Sequence, residues 1–243
     1  MCGRFVSTNE PDQVAAFFGA EIATDALGAN HNVAPTQDVY GVTANAAGER
    51  RVTAFHWGLI PSWAKDRKIA SKMINARSET LADKPTFKEL ARKKRVIIPM
   101  DGFYEWMPGS SDGQLTGKGT PIKQPMYIHR NDNRPLAVAG LWTSWKDPEA
   151  PAGAVAAGEN WLHSALIVTT ASNDTMKPVH DRMPVTVPPE RWAEWLDPAN
   201  DDLEALTSLF TSASTPWVAH KVSTEVNRVT NNNPGLIKPI SDT

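Results

Sequence analysis

The sequence has 243 residues, of which 41% are hydrophobic and 21% charged, and its formal net charge is −2. This composition is typical of a globular protein with a buried core and argues against wholesale disorder. No run of about 18 apolar residues occurs and the N-terminus lacks a secretory pattern, so we expect neither a membrane partner nor export. The single cysteine cannot form an internal disulfide, which fits a reducing compartment and predicts a cytoplasmic protein.

Strand and helix patterns follow one another without a regular βαβ rhythm. Residues 3–6 and 38–44 are predicted strands, and between them a helix from Pro11 to Phe18 would be capped by Ser7 or Thr8. Further β-rich runs cover 51–58, 95–106, 125–130, 136–142 and 162–170. Helical periodicity covers 84–94, 189–196 and 202–210. We therefore predict an α+β fold, mainly antiparallel β-sheet curled into a barrel-like core with peripheral helices.

Two stretches rich in small residues and proline or glycine, 109–121 and 148–160, interrupt this pattern. Neither separates segments of different composition, so both are predicted to be surface loops and not linkers. No internal repeat with a period of 20–50 residues is visible. We therefore expect a single domain over residues 1–243.

The charge is unevenly distributed. Between Lys65 and Arg95 the chain carries eleven Lys and Arg against four Asp and Glu, a local charge of +7. Such a segment can bind phosphates locally although the whole protein is nearly neutral, because exposed charges are screened beyond about 10 Å. The alternative is that the basic cluster over 84–95 is only the solvated face of a helix.

Residue 2 is the first position that indicates chemistry. Removal of Met1, which is usual before a small residue such as Cys2, would leave an α-amine of pKa about 7.7–8.0 next to a thiol of pKa about 8.5. The amine condenses with an aldehyde to an imine, and the thiol then closes a five-membered thiazolidine. An internal cysteine cannot react in this way because its nitrogen belongs to an amide. The alternative is that Cys2 is a small buried hydrophobe.

Two known families begin in nearly this way. Class II glutamine amidotransferases start Met-Cys-Gly and use the cysteine to attack a carboxamide, but they usually continue with Ile or Val where this chain has Arg4. A second resemblance is carried by MCGRF at the start, WGLIPSWAKD (57–66), MINARSET (73–80), IPMDGFYEW (98–106) and HDRMP (180–184). These motifs, in this order, resemble the SRAP family, the SOS-response-associated abasic-site processing proteins. The C-terminal stretch 222–240 also resembles that family.

The SRAP resemblance implies a protein that binds single-stranded DNA and crosslinks covalently to the ring-opened aldehyde of an abasic site, shielding the lesion. Cys2 matches the family nucleophile, and Asn75 matches the asparagine that holds the abasic sugar. Glu105 and His180 match an acid–base pair around the linkage. A carboxyl and an imidazole suit the proton transfers that open the sugar and remove water. Without the resemblance, each of these residues has an ordinary structural interpretation.

The DNA contacts implied by the resemblance are arginines and tryptophans. Arg4 and Arg77 match family arginines near backbone phosphates, and Arg182 is a further candidate. Trp63 and Trp106 are candidates for stacking on unpaired bases. The remaining large indoles are expected in the core or in helix packing, namely Trp57, Trp142, Trp192 and Trp195.

No metal-ligand spacing and no phosphate-cradling glycine motif occur, so we expect no metal site, nucleotide or other cofactor. The main hypothesis is a monomeric, self-crosslinking sensor of abasic sites with a possible peptidase or lyase activity, cytoplasmic and nucleoid-associated when bound to DNA. The alternatives are an N-terminal-cysteine amidohydrolase with glutaminase-like activity and a non-covalent reader of single-stranded DNA.

Overall fold

The computed structural model describes residues 2–108, 115, 117–150, 155, 160–208, 210 and 216–240. Met1 and much of the two predicted loops, 109–121 and 148–160, lie outside these residues. In chain order the strands are β1 (Phe5–Ser7), β2 (Ala20–Ile22), β3 (Asn30–Val33), β4 (Asp38–Ala44), β5 (Arg50–Trp57), β6 (Asn75–Arg77), β7 (Arg95–Met100), β8 (Gly102–Met107), β9 (Gln124–Arg130), β10 (Leu136–Lys146), β11 (Trp161–Ala171), β12 (Arg182–Pro184) and β13 (Trp217–Lys221).

Five strands of the larger sheet close into a barrel. Antiparallel pairing runs from β5 through β4, β7 and β10 to β11, and a parallel pairing between β11 and β5 closes the ring. At this seam Ala165 of β11 lies level with Trp57 of β5. The strands read as nearly continuous apolar runs because their side chains are buried on both faces, as in all six residues of β7. The predicted α+β class with a barrel-like core is confirmed.

A smaller antiparallel sheet, in the order β13-β9-β8-β1-β3, holds the N-terminus. Phe5 of β1 pairs with Phe103 of β8 on one side and with Val33 of β3 on the other. The chain passes from the barrel strand β7 into β8 through Asp101 alone, so the two sheets are joined directly. Residue 2 shares an apolar cluster with the barrel residues Ile98 and Ile167, so it lies where the small sheet meets the barrel.

The described helices lie outside the barrel, as predicted: α1 (Pro11–Phe18), α2 (Pro85–Lys93), α3 (Trp192–Leu196) and α4 (Leu203–Ser208). The predicted cap of α1 by Ser7 or Thr8 is wrong. The helix begins after Glu10, whose backbone N–H donates to Gln13 Oε1 at 2.9 Å. Thr8 instead donates to Asp101 Oδ2 from its backbone N–H and its hydroxyl, at 2.7 and 2.6 Å.

The expected core tryptophans lie inside or against the core. Trp57, Trp192 and Trp195 are at most 7% exposed, and the half-buried Trp142 packs its ring 5.7 Å from that of Phe55. Within the described residues, no helix combines the length and the apolar character needed to cross a bilayer.

Candidate active site and nucleic-acid interface

Cys2 is completely buried. It precedes β1 and belongs to an apolar cluster that includes Phe103 of β8 together with Met176 and Val179. Burial raises the pKa of the Cys2 thiol well above its usual range, and the negative charge of Glu105 raises it further. The side chain is therefore a neutral thiol at neutral pH.

Asn75 is hydrogen-bonded directly to the backbone of residue 2. It is the first residue of β6, which pairs in parallel with β11 so that Asn75 lies level with Ile167. Its Nδ2 donates to the Cys2 carbonyl oxygen at 3.0 Å. Its Oδ1 is buried and has no hydrogen-bond partner within the described part of the chain. Buried acceptors are normally paired, so this oxygen is available to a donor that enters the site.

Glu105 approaches Cys2 from the neighbouring strand. The register of Phe5 against Phe103, continued by the bond from the Tyr104 N–H to the Arg4 carbonyl, brings Glu105 opposite residue 3. Glu105 is only 4% exposed, although carboxylates are rarely buried. A buried carboxylate next to a thiol is a suitable group for exchanging protons with it.

His180 ends a turn that packs against the same cluster. Val179 contributes to the apolar cluster of Cys2, and the His180 N–H donates to the Met176 carbonyl at 2.9 Å. The Arg182 backbone N–H donates to His180 Nδ1 at 2.9 Å, while Asp181 Oδ1 lies 2.8 Å from the same nitrogen. Nδ1 can serve only one of these contacts at a time: when it accepts from Arg182, the neutral ring carries its proton on Nε2. The second requires a protonated Nδ1.

A basic cleft of about 480 Å³ opens beside Asn75. Its cations are Lys72, Arg77 and Lys84, and Thr169 adds a hydroxyl. The basic segment of the sequence is therefore neither one binding patch nor one solvated helix face. Three of its cations line the cleft, whereas Arg95 is 3% exposed and donates to backbone carbonyls of Ala91, Trp195 and Asp197.

Arg4 and Trp106 pack together and are hydrogen-bonded to the C-terminal segment around Val226 and Asn227. The Arg4 guanidinium donates to Asn32 Oδ1 at 2.6 Å and to the Val226 carbonyl at 3.0 Å, and it lies 5.8 Å from the Trp106 ring centre. The Trp106 indole N–H donates to Asn227 Oδ1 at 2.7 Å. Burial lowers the pKa of Arg4. Both side chains thus have partners within the protein.

The last two candidates differ in exposure. Trp63 is 67% exposed and projects an unburied indole. The Arg182 side chain is 13% exposed and binds both carboxylate oxygens of Glu79, at 2.6 and 2.8 Å. Its guanidinium also donates to the Thr169 carbonyl at 2.7 Å. The Arg182 guanidinium is therefore held by Glu79 and Thr169 within the protein.

Sequence reasoning did not assign Glu79, Lys72 or Thr169 to the site. Glu79 belongs to the MINARSET motif (73–80), and its place in that motif was the available indication. Lys72 lies in the basic segment between Lys65 and Arg95, which was the available indication. Thr169 carries no local pattern, because it reaches the cleft from β11.

Comparison with known proteins identifies relatives over most of the chain. Residues 1–229 match the family described as SOS response associated peptidase (SRAP). The chain is 39% identical to "Abasic site processing protein YoqW" of Bacillus subtilis, with 98% of this chain and 99% of that protein covered. It is 33% identical to "Abasic site processing protein HMCES" of Xenopus tropicalis, over 80% of this chain and 59% of that protein.

Solved structures share the same fold. A crystal structure of a protein from Bacteroides thetaiotaomicron superposes with a TM-score of 0.79 at 23% identity, covering 99% of this chain and 100% of that one. A protein from Bordetella bronchiseptica superposes with a TM-score of 0.70 at 24% identity, covering 91% and 100%.

Proposed function

Because the chain belongs to the SRAP family, we propose that it processes abasic sites in single-stranded DNA by forming a covalent crosslink through Cys2 once Met1 has been removed. The relatives named as abasic site processing proteins support the abasic site as the target of this protein. The crosslink is proposed because an N-terminal cysteine has an α-amine next to a thiol, and this pair reacts with an aldehyde to give a thiazolidine.

The observation that carries this proposal is the grouping of Cys2, Asn75 and Glu105. The hydrogen bond from Asn75 fixes the carbonyl of residue 2, and the Glu105 carboxylate lies close enough to raise the pKa of the thiol. A thiol used only for packing needs no buried carboxylate beside it, and a buried charge is costly.

The protonation of the thiol favours an order of steps. Burial raises the pKa of the Cys2 thiol in the chain that retains Met1. If the thiol stays neutral after Met1 is removed, the free α-amine attacks the aldehyde carbon first and gives a carbinolamine. Loss of water gives an imine. The sulfur then adds to the imine carbon, its proton passes to the nitrogen, and the thiazolidine closes with one water released overall. Glu105 and His180 would carry the protons in these steps and in opening the sugar ring.

DNA would lie along the basic cleft beside Asn75. Arg77, with Lys72 and Lys84, faces the cleft that backbone phosphates would occupy. The exposed Trp63 would stack on an unpaired base. Arg4, Trp106 and Arg182 are proposed to border the strand, although each is bonded within the protein.

The peptidase name of the family would then describe release of Met1. A lyase-like activity would follow if the imine lost its C2′ proton and expelled the 3′-phosphate before the thiol closed the ring. We further propose that the protein acts as a monomer in the cytoplasm and joins the nucleoid when it binds damaged DNA.

The test compares three proteins on an oligonucleotide with one abasic site, by denaturing gel and mass spectrometry. Untagged protein should give a heat-resistant adduct that has lost one water. Cys2→Ala should give no thiazolidine yet bind intact single strands nearly as well. A protein with an uncleaved residue ahead of Cys2, verified by mass, should also give none, because its nitrogen is an amide.

Two outcomes would support the other functions. Glutamine hydrolysis by the untagged protein, without an adduct, would indicate an amidohydrolase. Binding of abasic DNA that is indifferent to Cys2→Ala and to the blocked amine, again without an adduct, would indicate a non-covalent reader. A tagged protein that crosslinks at the untagged rate would contradict the imine-first mechanism.

A further inference from the structure

A separate cavity of about 220 Å³ lies between α1, the β9–β10 turn and the segment that follows β12. It shares no lining residue with the basic cleft, and none of the residues assigned to the crosslink or to DNA lines it. Its floor is apolar, formed by Leu136, Ala137 and Val187. Its volume is that of one large side chain or a compact ring.

The aromatic wall of this cavity is held in place. Trp192 is 7% exposed, and its ring centre lies 4.5 Å from that of Phe18 and 5.5 Å from that of Phe17. Its indole N–H donates to the Val187 carbonyl at 2.8 Å. A wall fixed in this way is preformed, so an occupant need not order it on binding.

The rim of the cavity is positive. Arg130 and Arg134 both line it, and the exposed Arg134 holds its guanidinium 5.5 Å from the Phe17 ring centre. Asp132 binds Arg130 through both carboxylate oxygens and so offsets only one of the two charges. Carboxylates are the protein groups that complement such a rim.

One polar group lies in the apolar wall. Thr186 is 4% exposed, and its Oγ1 has no hydrogen-bond partner within the described part of the chain. A nucleobase has several polar atoms on its edge, and a single hydroxyl would leave most of them unpaired in the cavity. A hydrocarbon side chain carries no such cost.

We propose that this cavity is a docking site for an acidic segment of a partner protein. The segment inserts one large apolar side chain, aromatic or aliphatic, into the cavity against the wall formed by Phe17 and Trp192, and its carboxylates bind Arg134 at the rim. The site lies apart from the basic cleft, so a partner docked here leaves the DNA path open. Docking would bring this protein to the place where the partner is. The residues proposed for the crosslink would take no part in it.

The probe is the blocked peptide Asp-Glu-Phe-Asp-Glu, titrated into isotope-labelled protein and followed by amide chemical shifts. We expect saturable shifts at Leu136, Ala137 and Val187. Replacing Phe by Ala in the peptide, or its acids by amides, should weaken binding about tenfold or more, as for anchor residues of other interfaces. Arg134→Glu should weaken it similarly and Arg134→Lys much less. Arg51→Glu, which changes a side chain 56% exposed and paired with Glu21, is the matched control.

The outcomes that overturn the proposal are specific. If the peptide with amides in place of its acids binds as tightly as the acidic peptide, charge has no role in docking. If the chemical-shift changes centre on Arg77, the peptide binds in the basic cleft in place of DNA and not in the cavity. If 3-phenylpropionate binds as tightly as the peptide, the cavity is a small-molecule site. If oligothymidine shifts the same amides, it is a nucleic-acid site. The Arg134→Glu protein should crosslink abasic DNA at the wild-type rate. A failure of the docking proposal can therefore be distinguished from a failure of the proposed crosslinking function.

Discussion

The side-chain amide of Asn75 donates a hydrogen bond to the carbonyl oxygen of Cys2 at 3.0 Å, across 73 positions of sequence. The bond ties Cys2, which lies three residues ahead of β1 of the small sheet, to β6, which extends the larger sheet through β11. The orientation of residue 2 therefore depends on how the two sheets are assembled.

Removing this bond should slow crosslinking more than it weakens DNA binding. We expect Asn75→Ala to lower the single-turnover crosslinking rate by about tenfold or more, since a buried hydrogen bond contributes about 1 kcal/mol and the reacting group also loses its alignment. Asn75→Asp keeps the size but sets an oxygen against the Cys2 carbonyl, so its rate should fall at least as far. An Asn75→Asp protein that reacts at the wild-type rate, with affinity for intact strands unchanged, would contradict this role.

The charge of Glu105 should be visible in the titration of the thiol. Because burial is the larger cause of the raised pKa and Glu105 the smaller, Glu105→Gln should lower the pKa of Cys2 but leave it above the ordinary value. The single cysteine of the sequence makes thiolate absorbance a direct measurement. If Glu105→Gln leaves the pKa of Cys2 unchanged, the carboxylate does not influence the thiol.

Glu105 and His180 should act on shared proton transfers. Glu105→Gln and His180→Ala should each slow both formation and reversal of the crosslink. The double variant should lose less than the two single effects added as free energies, since residues that serve one step are non-additive. The measurement is a double-mutant cycle on crosslinking rates. Full additivity would assign the two residues to separate steps.

The basic cleft predicts a salt dependence. Affinity for intact single strands should fall as salt rises, with a logarithmic slope of about −0.7 for each phosphate contact. Arg77→Ala should flatten that slope by about one contact. Arg51→Ala removes an exposed arginine outside the cleft and should leave the slope unchanged. An affinity independent of salt would mean that the cleft does not bind phosphates.

The ion pair between Glu79 and Arg182 should make stability depend on acid pH. Arg182 lowers the pKa of Glu79 from 4.5 to about 2, so the pair stabilises the folded state above about pH 4.5 and this contribution is lost as the pH falls towards 2. The Glu79 side chain is 48% exposed, and solvent screening limits the contribution to about 0.5–1 kcal/mol. Glu79→Gln should lower the free energy of unfolding by that amount at pH 7 and by almost nothing near pH 2, in denaturant titrations. An equal loss at both pH values would point to packing, not charge.

The sequence by itself predicted the long strands, the helices and the chemistry of residue 2, but not the short strands β2, β3, β6, β12 and β13. Apolar runs such as residues 95–100 predict strands wherever they lie, because burial on both faces requires nonpolar side chains at successive positions. The chemistry of an amine beside a thiol follows from the covalent structure of Cys2 alone. The family motifs likewise predicted which residues to expect around it.

The tertiary structure decided how these parts meet. Closure of the barrel between β5 and β11, the burial of Cys2 and its bond to Asn75 all join residues far apart in the chain. The same holds for Arg182, which sequence alone offers as a phosphate ligand and which the fold pairs with Glu79. Local propensity and periodicity report which face of a segment is buried, but not which segment will cover it. That choice depends on the free energy of assembling all the sheets at once, and it sets both the protonation of the thiol and the charges left to face DNA.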